Sequence, residues 1–102
     1  MTNFTVRVVL HGVDNDESEL YTELHDEMRK QGFVRTITLP DSGGTWKLPP
    51  AEYSKISSDT RTTVLVAAKK AATVVMGNEK RFSILVTGDE HPRVFHNLER
   101  SK

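Results

Sequence analysis

The chain has 102 residues and no cysteine, and its 14 basic and 14 acidic side chains cancel to zero net charge. A chain of that length holds one domain, and the absence of cysteine excludes disulfides, thiolate metal sites and a cysteine nucleophile. No stretch approaches the ~20 apolar residues of a membrane span. The opening residues run straight into apolar alternation rather than a signal-peptide pattern, so the expected location is the cytoplasm.

The segment Phe4-Thr5-Val6-Arg7-Val8-Val9-Leu10-His11 alternates with period 2. Phe4, Val6, Val8 and Leu10 share one face; Thr5, Arg7, Val9 and His11 share the other, as in a strand buried on one side only. After the break at Gly12–Asp16 a helix is expected, capped by Asp16 or Ser18. Its buried stripe is Leu20, Leu24 and Met28, flanked by Tyr21, with Arg29 and Lys30 in the last turn and Gly32 as the stop. Residues 33–39 predict a second strand, with Val34, Thr36 and Thr38 outward and Arg35 near the edge. The Pro40–Gly44 turn leads to a return strand at Thr45–Leu48, which Pro49 and Pro50 confine to a sheet edge. Residues 51–58 are expected to start extended and end as a loop.

A second helix, capped at Ser58, Asp59 or Thr60, is expected to run to about Met76. Its stripe of small residues (Val64, Ala67, Ala68, Ala71, Ala72 and Val75) allows close packing on a sheet. Lys69 and Lys70 face out and Gly77 ends the helix. Residues 81–87 predict the last strand, with Ser83, Leu85 and Thr87 on the open face, and 89–102 read as a polar, flexible tail. The strand–helix–strand–strand–helix–strand order predicts an α+β, ferredoxin-like domain: four antiparallel strands with two helices on one face.

The charge is unevenly placed. Residues 1–31 carry three basic and seven acidic groups, while 32–102 carry eleven and seven. Head-to-tail self-association is the plain use of that asymmetry, and a local anion-binding surface is the sharper one. Two places carry candidate chemistry. Asp14 and Asp16, just past the first strand, are carboxylates that could hold Mg²⁺ or act as a base toward a ribose hydroxyl, although such residues also serve as ordinary loop and cap residues. The open sheet face carries Arg7 and His11 but no aromatic on the first or last strand, which argues against base stacking. Half-polar faces of this kind are also common dimer surfaces. The four histidines lack zinc spacing, Asp14-Asn15-Asp16 lacks the glycine and distal glutamate of a calcium loop, and Gly43-Gly44 lacks the lysine of a phosphate loop.

Four phrases, Phe4–His11, Gly32–Ile37, Lys47–Tyr53 and Phe82–Thr87, resemble the GhoS-like family of small bacterial proteins. That family is similar in fold to the small CRISPR-associated ferredoxin-like nucleases, and it includes the endoribonuclease antitoxin of a type V toxin–antitoxin pair. The resemblance implies a ferredoxin-like fold and an antitoxin-type regulator that binds single-stranded RNA and cleaves it. Asp14 or Asp16 would assist attack by a 2′-hydroxyl or hold Mg²⁺, and Arg7, His11, Arg35 and Lys47 would meet the phosphates. The other reading is a non-enzymatic accessory domain that dimerises through its sheet and binds a protein. Neither a membrane nor DNA is indicated as a partner.

Overall fold

The computed structural model describes residues 2–13, 18–38, 44–49, 51–90 and 98. Strand β1 (Thr2–Leu10) is followed by helix α1 (Glu19–Lys30), the short strands β2 (Thr36–Thr38) and β3 (Thr45–Lys47), then β4 (Glu52–Ser57). Helix α2 (Arg61–Met76), a single 3₁₀ turn (Glu79–Arg81) and β5 (Phe82–Asp89) complete the order. The chain is α+β, with β1 at the centre of an antiparallel sheet in the order β4-β1-β5 and β2 and β3 forming a separate hairpin. Among the described residues no helix is long and apolar enough to cross a membrane.

The alternation along β1 places its side chains as the sequence predicts. Phe4, Val6, Val8 and Leu10 are buried, joined in one cluster with Leu24 and Met28 of α1, Val64, Ala68 and Ala72 of α2, and Phe82 of β5. On β5, Ser83, Leu85 and Thr87 are exposed, and Ile84 and Val86 pack against the cluster. Small residues along α2 let its axis come close to the sheet, and Gly88 meets the same need on β5. A Cβ there would lie 2.9 Å from the Phe4 ring.

Capping fixes both helices. The Ser18 side chain accepts from the Tyr21 N–H at the start of α1, and that of Thr60 accepts from the Thr63 N–H at the start of α2. Helix α1 ends in a Schellman motif: Gly32 takes φ +89°, its N–H donates to Arg29 O, and the Phe33 N–H donates to Met28 O at 3.0 Å. The Lys55 ammonium, reaching across from β4, donates to Gln31 O at 3.0 Å and lies 5.1 Å from the Phe33 ring centroid. A cation there complements the negative end of the helix dipole.

The strand beside β1 differs from the expected one. Residues 45–48 were expected to return along the sheet, but among the described residues Thr45–Lys47 forms its strand ladder with β2, whereas Glu52–Ser57 lies along β1 from Thr2 to Arg7. The switch occurs at Ala51, which adopts φ +68°, with the Glu52 N–H bonded to Pro49 O and the Val8 N–H to Ala51 O. A left-handed alanine costs about 1–2 kcal/mol, and here it starts a strand that buries Tyr53. The chain before β2 reaches the far side of β4 by one bridge, in which Val34 and Ser54 exchange backbone bonds of 2.9 and 2.7 Å. Strand β5 extends to Asp89, a residue assigned to the tail from sequence; most of that tail lies outside the described residues.

Leu24 is fully buried where α1 meets the sheet. Leu24→Ala should lower unfolding free energy by ~2–5 kcal/mol in a urea titration, as expected for a cavity in a closed core.

Candidate nucleic-acid interface

The face of the sheet away from the helices is the candidate site. Strand register orders its residues in rows: Glu52, Arg7 and Leu85 stand abreast, as do Ser54, Thr5 and Thr87, and Ile56, Asn3 and Asp89. Val9 pairs with Ser83. Beyond them, at the end of β1, the His11 Nε2 lies 2.7 Å from Ser83 Oγ, and the His11 N–H donates to Arg81 O. The alternation on β1 therefore puts Arg7 and His11 on one face, about 13 Å apart along the strand.

The two ends of this sheet differ in charge. His11, Lys80 and Arg81 gather at the carboxyl end of β1, while Asp59, Asp89 and Glu90 rim a cleft of about 450 Å³ at the other end, where Arg61 also lies. Arg7 stands between the ends. Glu52 faces it directly across the β1–β4 pair. Because the Val8 N–H bonds to Ala51 O, Arg7 and Glu52 form a non-hydrogen-bonded pair, the kind in which side chains approach most closely. Any phosphate reaching Arg7 competes with that carboxylate.

The other candidates are dispersed. Arg35 is exposed, next in the chain to the Val34–Ser54 bridge, and near enough to Tyr53 for its charge to favour the phenolate. Lys47 is exposed on the β2–β3 hairpin, opposite Thr36. Asp14 and Asp16, the proposed base or Mg²⁺ ligands, lie outside the described residues. Among the described residues no three histidine or acidic side chains gather as a metal site would require. Arg7 and His11 thus share one face of β1, and Arg35 and Lys47 lie off that strand.

Sequence reasoning missed two partners. Ser83 was placed on the open face, but its bond to His11 depends on the β1–β5 register, which no local pattern encodes. A second polar cluster lies on the helix side: His25 Nδ1 sits 2.6 Å from the Tyr53 hydroxyl, the rings 5.7 Å apart, and the Leu10 N–H donates to the Tyr21 hydroxyl at 3.0 Å. The Tyr21 contact has a clear cause. Even-numbered residues of β1 turn their amides toward β4, and that pairing ends at Ala51, leaving the Leu10 N–H to a side chain.

Comparison with known proteins finds no matching family model, no matching curated protein and no matching solved structure.

Burial raises the Tyr53 phenol well above its ordinary value, with the nearby Tyr21 adding to the rise and Arg35 opposing it. The unfolded chain loses that proton near pH 10 while the folded chain keeps it. The contribution of Tyr53 is therefore complete below about pH 10 and declines at higher pH. Chemical denaturation from pH 8 to 11 should show stability falling above pH 10, and falling less steeply in Tyr53→Phe; equal slopes would contradict this.

Proposed function

We propose that the chain is a ferredoxin-like, RNA-binding regulator of the GhoS-like, antitoxin type, with single-stranded RNA lying across the open sheet face at its His11 end. For the fold, the support is the pairing of β1 with β4 and β5, both antiparallel, together with the isolated Val34–Ser54 bridge on the outer edge of β4, where a fourth strand of that fold would lie. For the function, the observation that carries the reading is the row of Arg7 and the His11–Ser83 pair on one exposed face. A guanidinium there neutralises phosphate, and an imidazole bonded to a hydroxyl is a proton acceptor within reach of a ribose 2′-hydroxyl. With no Phe, Tyr or Trp on this face of β1, β4 or β5, recognition would run through the backbone rather than by stacking on those strands. As an endoribonuclease the protein would draw on Asp14 or Asp16, which follow directly on this end of β1, as base or Mg²⁺ ligand.

A second reading, a non-enzymatic domain in the cytoplasm that dimerises through its sheet and binds a protein, is favoured by the aliphatic side chains on the same face. Leu85 is 63%, Ile56 58% and Val34 50% exposed. A face that buries these against a protein gains apolar contact that RNA phosphates do not offer.

Fluorescence anisotropy with a labelled RNA oligomer across a salt series separates the two. Arg7→Ala should weaken binding and reduce the slope of log K against log salt by about 1, the loss of one phosphate contact. Glu52→Gln should strengthen binding by removing the negative charge opposite Arg7. Affinity unchanged in both variants, or the absence of any salt dependence, would exclude the RNA reading.

A further inference from the structure

We propose that two copies of this chain pair antiparallel along the outer edge of β5, about a two-fold axis at Leu85. The proposal rests on the self-association reading above and deepens it by naming the surface and the register. It commits to the edge of the sheet, not its open face.

The two sheet edges are treated differently. The outer edge of β4 is met at Ser54 by Val34, and Lys55 lies within that strand. Strand β5, eight residues long, pairs only with β1 among the described residues. The direction of its free amides follows from the ladder. His11 N–H donates to Arg81 O, so odd-numbered residues of β5 direct their N–H and C=O groups to β1. Phe82, Ile84, Val86 and Gly88 therefore turn theirs to the outer edge, which no described strand covers. From Phe82 to Thr87 the strand has neither charge nor proline, the usual protections of an edge.

Its ends carry opposite charges: Lys80 and Arg81 precede the strand, and Asp89 and Glu90 close it. All four are exposed. Antiparallel pairing with Leu85 opposite its own copy sets Ile84 opposite the partner's Val86, so the outward amides meet. The same register sets Arg81 opposite the partner's Asp89 and Lys80 beside the partner's Glu90, twice by symmetry. A slip of two residues puts Arg81 against Thr87, or Asp89 against Ser83, and loses the match. Parallel pairing places like charges together. Leu85, already exposed, would meet its copy as a close non-hydrogen-bonded pair.

Sedimentation measurements on charge-swapped variants test the register. The wild-type chain should rise from monomer mass toward twice that mass as concentration approaches ~1 mM, as a Kd in the millimolar range or tighter requires. Lys80→Glu/Arg81→Glu and Asp89→Lys/Glu90→Lys should each stay at monomer mass, because each pairs like charges in a self-dimer. Mixed in equal amounts they should return to twice that mass, since each complements the other. Ile56→Lys, on the open face away from β5, should dimerise as the wild type does. Exchange of the Ile84 and Val86 amides in the wild type should slow as concentration rises. Wild-type protein that remains monomeric at ~1 mM, swapped variants that dimerise alone, a mixture of folded variants that stays monomeric, or Ile84 and Val86 exchange independent of concentration would each overturn the edge proposal. Loss of the dimer in Ile56→Lys would overturn it too, placing the contact on the open face and leaving the self-association reading intact.

Discussion

Burial of Phe4, Val6, Val8 and Leu10 on one side of β1 is the constraint on which the other features depend. Each contributes roughly 1.5–3 kcal/mol when taken from water, and the four together match the net stability of a typical domain, about 5–15 kcal/mol. A slip of one residue would turn all four to solvent and bring Arg7 into the core, so the register of β1 is not free to drift. Because β1 is central, that register also sets what faces it: Tyr53 beside Val6, Phe82 beside Leu10, and Gly88 beside Phe4. The polar face follows by default. Arg7 and His11 point outward because their neighbours must point in.

Polar contacts then tie helix α1 to this sheet. Tyr21 takes the last unpaired amide of β1, His25 meets the Tyr53 hydroxyl, and Lys55 closes the carboxyl end of the helix. Two of these three come from β4, so the strand that the sequence showed only in part, as a segment starting extended and ending as a loop, is the one that anchors α1. Its full extent was concealed for physical reasons. Glu52–Ser57 carries serines and a lysine where a strand pattern would show apolar residues, and Ser54 is buried, with its backbone paired to Val34 on the outer edge. Its start depends on Ala51 in a left-handed conformation, for which alanine gives no signal. By contrast β1, β5 and both helices were legible, since period 2, period 3.6 and hydroxyl caps are local patterns.

The candidate site was legible in the same uneven way. Parity alone placed Arg7, His11 and Ser83 on one face, and tertiary register was needed to bring His11 onto Ser83 and Glu52 opposite Arg7. Arg35 was the least predictable, because it follows a segment that touches the sheet at a single bridge and belongs to neither named sheet. The open face and the β5 edge are separate surfaces. Pairing along the edge would leave Arg7 and Glu52 uncovered and set two open faces side by side in one continuous sheet, doubling the surface offered to an extended ligand.

The central claim is that the face defined by β1 is the working surface. An amide chemical-shift titration of the labelled protein with short single-stranded RNA, at low and moderate salt, tests it most directly. The account predicts shifts concentrated on Arg7, Val9, His11 and Ser83 that fade as salt rises. Flat spectra at high RNA excess, or shifts confined to the helix side and the β2–β3 hairpin, would contradict it.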